Sequence, residues 1–119
     1  MIAATLVTGA TPSRREAAIA EALNNASDVA VILEGLPDGM QPLEDLQHLP
    51  GLHVTRIAPG CLCCTGNLTM RVTLNRMLRR RPARLYIGLS SSEHLARIRE
   101  FLNQPPYASL LMLTPDITA

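Results

Sequence analysis

The chain has 119 residues, of which 47% are hydrophobic and 18% are charged, and its formal net charge is +1. This composition excludes a disordered chain, and the length suits a single domain over residues 1–119. One Phe, two Tyr and no Trp leave little aromatic surface on which nucleic-acid bases could stack. The net charge of +1 creates no strong electrostatic field that would attract nucleic acid. No apolar run reaches the roughly 18 residues of a membrane helix, and the N-terminus lacks the basic start of a signal peptide. We therefore expect a cytoplasmic protein with no nucleic-acid or membrane partner.

Short apolar runs alternate with helical patterns along the chain. Most runs are rich in Val, Ile, Leu and Ala and end at Gly, Pro or a polar residue, which is typical of strands buried on both faces. The predicted strands are residues 2–8, 29–33, 53–58, 85–89 and 109–113. The predicted helices are residues 13–25, 67–80 and 90–104, and residues 43–49 are expected to form one or two further helical turns. This alternation predicts an α/β fold in which helices cover both faces of a parallel sheet.

The first predicted helix begins at Ser13 and has Glu16 three residues later. In this capping-box pattern, each of the two side chains accepts a hydrogen bond from the backbone N–H of the other residue. We therefore expect Ser13 and Glu16 to close the N-terminus of this helix.

All three cysteines, Cys61, Cys63 and Cys64, lie in one short loop between the third predicted strand and the second predicted helix. Ligands bind at such carboxyl ends of strands in open parallel sheets. Three thiolates on one loop favour a soft or borderline cation such as Zn²⁺, which takes four ligands. Two alternatives remain. One is a redox pair of Cys61 and Cys64 at the start of a helix, and the other is a set of three small buried apolar side chains.

The segment Pro-Gly-Cys-Leu-Cys-Cys-Thr at residues 59–65 resembles the Gly-Cys-x-Cys-Cys loop of the CobW-type metallochaperone GTPases. Residues 31–35 resemble the strand of that family that ends in Asn-Glu-x-Gly, and residues 84–92 resemble the strand that ends in Glu-Thr-Ser-Gly. Residues 110–116 resemble the next strand, which ends in an Asp. The resemblance implies a P-loop-NTPase-like fold, a metal ion as ligand and a client metalloprotein as partner.

The sequence departs from this family where the phosphate-binding loop would lie. Of the loop's glycines only Gly9 is present, Pro12 removes one backbone amide, Arg15 stands at the lysine position, and Glu16 stands where a hydroxyl would bind Mg²⁺. The chain contains no lysine at all. We therefore predict that GTP binding and hydrolysis are lost and assign no catalytic or cofactor-binding residue. An active GTPase-like protein is the alternative.

Several side chains are candidates for a fourth metal ligand. Glu34 ends the second predicted strand, at the same sheet edge as the cysteines, and the resemblance implies that this carboxylate lies close to the metal loop. His48, His53 and water are the alternatives, whereas His94 is expected on a helix surface. The last predicted strand can leave an open sheet edge, through which a homodimer would form.

Overall fold

The computed structural model describes residues 2–23, 28–35, 51–57, 68–90 and 92–119. A helix α1 (Pro12–Leu23) follows strand β1 (Ile2–Thr8), and strands β2 (Val29–Glu34) and β3 (His53–Ile57) come next. The chain continues through α2 (Leu68–Arg79), β4 (Arg84–Leu89) and α3 (Ser92–Leu102). A 3₁₀ turn (Tyr107–Ser109) then leads into two short strands, β5 (Leu111–Leu113) and β6 (Ile117–Thr118).

All described strand pairs are parallel, and the strands lie in the order β3–β2–β4–β1. On the other side of β1, β5 pairs with residues 2–4 and β6 pairs with residues 7–8, so these two strands continue the same edge of the sheet. Parallel strands need crossover connections, and α1, α2 and α3 are the helices found between them. The predicted α/β fold is therefore confirmed, and its parallel sheet fits the P-loop-like architecture that the resemblance implied.

Helices cover both faces of the sheet. Alternate residues of each strand point to opposite faces, so each strand contributes to two cores. On β2, Ala30 and Ile32 pack into a core that includes residues of α2 and α3. Their neighbours Val29, Val31 and Leu33 pack into a second core with α1. All six residues of β2 are buried, which explains why this strand reads as one apolar run that ends in a carboxylate.

Within the described residues, the predicted strands and the three long predicted helices are present, and the differences lie near the ends of the chain. The predicted fifth strand is wrong at its start, because the 3₁₀ turn extends to Ser109 and the strand begins only at Leu111. Strand β6 was not predicted, since two residues are too few to show an apolar period. The helical turns expected at residues 43–49 lie outside the described residues.

The N-terminus of α1 differs from the predicted capping box. The helix begins at Pro12, and the Oγ1 of Thr11 accepts a hydrogen bond of 3.2 Å from the Arg14 N–H. Thr11 is therefore the N-cap, and Pro12 takes the first helical position, which its fixed φ angle suits. The capping role predicted for Ser13 and Glu16 is wrong, and Glu16 makes a tertiary ion pair instead.

Candidate metal site

Glu34 lies at the carboxyl edge of the sheet, beside the point where the chain enters the cysteine segment. It is the last residue of β2 and lies in register with Ile57, the last residue of β3. The next residue, Gly35, donates a backbone hydrogen bond of 2.9 Å to the Ile57 carbonyl oxygen. Residues 58–67, which contain the three cysteines, follow directly. The pairing of β2 with β3 thus fixes Ile57, the last described residue before the cysteine segment, next to the Glu34 backbone.

The Glu34 side chain is buried and is held by Ser90, the residue that follows β4. Only 2% of Glu34 is exposed. Its Oε1 accepts a hydrogen bond of 2.7 Å from the Ser90 backbone N–H and another of 2.6 Å from the Ser90 hydroxyl. These two short hydrogen bonds come from one residue and end on one oxygen atom, so Ser90 fixes the orientation of the Glu34 carboxyl group. Ser90 was not singled out from the sequence, although its place after β4, at the edge that holds Glu34, is a signal that points to it.

Two charged residues near the start of α1, at the carboxyl end of β1, are also buried. Arg15 is 4% exposed, and its Nη1 donates a hydrogen bond of 2.9 Å to the Gly9 carbonyl oxygen. Glu16 is 1% exposed, and Arg56 of β3 donates to both of its carboxylate oxygens at 3.0 Å. The side chains at the positions that the resemblance assigns to phosphate and Mg²⁺ binding are thus engaged within the protein.

The last residues of the chain pack beside the loop between β1 and α1. The Ala119 N–H donates a hydrogen bond of 2.7 Å to the Thr8 carbonyl oxygen. A Cβ atom placed on Gly9 would lie 2.9 Å from the Ala119 Cβ and 3.1 Å from the Arg15 Cγ. Gly9 is therefore required here for close packing against Ala119 and Arg15, and these contacts fill the space next to this glycine.

His53 lies at the opposite end of β3 from the cysteine segment. It is the first residue of the strand, and four residues at about 3.3 Å each separate it from Ile57 by roughly 13 Å. Its ring nitrogens lie 2.9 Å from the Nη1 of Arg80, the residue that follows α2. The structure therefore does not bring His53 to the edge that holds Glu34.

The remaining predicted site residues fall largely outside the described ranges. Cys61, Cys63, Cys64 and His48 lie in segments that the structure does not describe, and His94 is a residue of α3. Within the described ranges, no three side chains of His, Cys, Asp or Glu lie close enough together to hold a metal ion. No helix in those ranges is long and apolar enough to cross a membrane.

The chain is similar to a known metal chaperone over part of its length. No family model matches the chain, and no solved structure matches it. The chain is 36% identical over 75 residues to the zinc chaperone YeiR of Escherichia coli (strain K12), a match that covers 56% of this chain. The chain spans only 23% of the length of that relative. This similarity supports, loosely, the relationship to metallochaperones that the cysteine loop suggests.

Proposed function

We propose that this chain is a metallochaperone-like protein that binds one metal ion at the carboxyl edge of its sheet. Zinc is the metal that the ligand set favours. Cys61, Cys63 and Cys64 supply three thiolates, and the Glu34 carboxylate is the fourth ligand. The ion is cargo for a client metalloprotein, and its binding does not depend on a nucleotide. The observation that supports this proposal best is the register between Glu34 and Ile57, from which the cysteine segment starts.

Chain length favours Glu34 over His53 as the fourth ligand. Cys61 is four residues beyond Ile57, so its Cα lies no farther than about 14 Å from the Ile57 Cα. Glu34 is the direct neighbour of Ile57 across the two strands, whereas His53 lies about 13 Å back along β3. A carboxylate at this position completes a shell of three sulfur atoms and one oxygen within a small radius, which a tetrahedral zinc site requires.

The hydrogen bonds from Ser90 fit a ligand role for Glu34. Metal-ligating carboxylates are themselves held by hydrogen bonds, which fix the direction of the coordinating oxygen. Both described bonds from Ser90 end on Oε1, so the carboxylate has a defined orientation before any metal arrives. A Ser90→Ala change is therefore expected to weaken metal affinity without removing a ligand.

The buried charges on α1 argue against a nucleotide-driven cycle. A triphosphate with its Mg²⁺ needs inward-facing amides and a hydroxyl for the metal. Here the Glu16 carboxylate stands in place of that hydroxyl and is bound by Arg56, while Arg15 donates to the Gly9 carbonyl. Nucleotide binding would break these contacts and bring phosphate close to a carboxylate.

Zinc affinities measured by competition with a chromophoric chelator test the ligand set. Single Cys→Ser changes at 61, 63 and 64 are each expected to weaken binding, because a hydroxyl is a poor ligand for zinc. Glu34→Gln should weaken it as well, whereas Glu21→Gln on the exposed side of α1 and His53→Ala should leave it unchanged. Unchanged zinc affinity in the Glu34→Gln protein would show that Glu34 is not a metal ligand. A reversible Cys61–Cys64 disulfide in protein that binds no zinc would establish the redox alternative instead.

A further inference from the structure

A cavity of about 290 Å³ lies between α2 and the segment that joins α3 to β5. Two of the three aromatic side chains of the protein line it, Phe101 and Tyr107, and their ring centroids are 5.0 Å apart. The consecutive prolines 105 and 106 add apolar surface. These side chains form an apolar wall on one part of the cavity, and the polar side chains of Arg71, Asn75 and Gln104 complete the lining.

Arg71 of α2 supplies a positive charge to the cavity. Its guanidinium carbon lies 5.8 Å from the centroid of the Phe101 ring, which is within the range of a cation–π contact. Arg71 takes part in none of the ion pairs of the described residues, and no acidic side chain lines the cavity. Arg71 makes no hydrogen bond to the other described residues, so its N–H groups are available to an oxyanion that enters the cavity.

Asn75, one helical turn after Arg71, presents a second donor. The Tyr107 hydroxyl donates a hydrogen bond of 2.8 Å to the Asn75 Oδ1. This bond occupies the acceptor side of the amide and leaves its NH₂ group as the donor side. Because residues at i and i+4 lie on the same face of a helix, Arg71 and Asn75 both face the cavity.

We propose that this cavity binds a carboxylate attached to a small apolar group, either as a free acid or as the C-terminal residue of a peptide. Arg71 and Asn75 provide donors and a positive charge for the carboxylate. Phe101 and the two prolines provide apolar contact for the attached group. The volume suits a ligand of about the size of one amino acid, at the lower end of known ligand sites. This inference does not depend on the metal proposal.

Phe101 is a direct reporter for this cavity, because it is the sole phenylalanine of the chain. Protein labelled with ¹³C-phenylalanine gives one set of ring signals, which NMR follows during titration with N-acetyl-leucine. We expect saturable shifts with this probe and none with N-acetyl-leucine amide, which lacks the charge. Arg71→Gln should weaken binding by about tenfold or more, since charge-assisted hydrogen bonds are lost. The matched change Arg76→Gln, at an exposed arginine of α2 that does not line the cavity, should have no effect.

A tripeptide that ends in leucine distinguishes the two sources of the carboxylate. Tighter binding than that of N-acetyl-leucine assigns the cavity to a chain terminus, and equal or weaker binding assigns it to a small free acid. Equal affinity for the acid and its amide, or undiminished affinity in a folded Arg71→Gln protein, would overturn the proposal. Inorganic phosphate that binds as tightly as N-acetyl-leucine would also overturn it, because the apolar wall would then contribute nothing. The absence of any ring shift at millimolar probe has the same consequence.

Discussion

The ion pair between Glu16 and Arg56 joins α1 to β3, and we expect the two halves of this pair to differ in their effect on stability. Glu16 is 1% exposed, whereas the Arg56 side chain is 22% exposed. In an Arg56→Gln protein the carboxylate is left buried without its cation. In a Glu16→Gln protein the guanidinium can still reach water. Removal of the arginine should therefore cost more than removal of the carboxylate charge.

The size of each effect follows from the burial of the partner that remains. Breaking a buried pair costs about 3–5 kcal/mol when a fully buried charge is left behind. We expect a cost of about 3 kcal/mol for Arg56→Gln and about 2 kcal/mol for Glu16→Gln, because the exposed part of Arg56 lowers the second value. At about 4 °C per kcal/mol for a chain of this length, the melting temperature falls by roughly 12 °C and 8 °C.

Urea denaturation of the two single variants and the double variant, combined in a double-mutant cycle, measures this interaction. We expect a coupling free energy of about 1–3 kcal/mol between Glu16 and Arg56. Glu93 and Arg97 on α3 form the control pair. The Glu93 Oε1 and the Arg97 Nη2 are 3.6 Å apart, and the two side chains are 75% and 50% exposed. That pair should show a coupling of about 0.5 kcal/mol or less. Equal couplings in the two cycles, or a larger loss for Glu16→Gln than for Arg56→Gln, would refute this reasoning.

Three further predictions concern nucleotide, pH and the sheet edge. Titration calorimetry with Mg-GTP or Mg-ATP should show no saturable heat below millimolar concentration, because Arg15 and Glu16 are engaged within the protein; micromolar affinity would contradict this. Burial raises the pKa of Tyr107 above its usual value of 10.0, so the neutral phenol stabilises the fold below about pH 10 and this contribution is lost as the pH rises through the folded-state pKa. Tyr107→Phe should remove this part of the alkaline loss in thermal melts, and an unchanged alkaline profile would show that the burial has no such effect. Hydrogen exchange at β5 should be slow, since β5 pairs with β1, and fast exchange would mean that this strand is not docked; light scattering tests the predicted homodimer separately.

The spacing of apolar residues along the sequence was enough to predict most strands of the sheet. It failed where an element is short or irregular. Strand β2 is buried along its whole length, so its apolar run leaves little ambiguity. Strand β6 has two residues and is held by pairing with Val7 and Thr8, which a local pattern does not reveal. The 3₁₀ turn before β5 contains Tyr107, whose burial depends on its contact with Phe101 and its hydrogen bond to Asn75. The conformation of β6 and of the 3₁₀ turn thus depends on contacts with distant parts of the chain, which local sequence patterns do not show.

The same division applies to the candidate site. The position of Glu34 at the carboxyl edge of the sheet followed from the strand it ends, and the structure places it beside Ile57. The partner of Glu16 did not follow, because Arg56 is 40 residues away and the local spacing to Ser13 suggested a capping box. Thr11 is the N-cap residue instead, since Pro12 suits the first helical position better than an interior one. The carboxylate of Glu16 was then available for a tertiary partner.

Cobalt titration of the fully reduced wild-type chain tests the central claim most directly. Three thiolates and one carboxylate in a tetrahedral shell should produce intense visible and near-ultraviolet bands that saturate at one Co²⁺ per chain and disappear when Zn²⁺ is added. Because thiolate ligation releases protons, the bands should weaken on acidification. If fully reduced protein binds no metal and shows no cobalt–thiolate bands at neutral pH, the metal site at the Glu34 edge of the sheet does not exist.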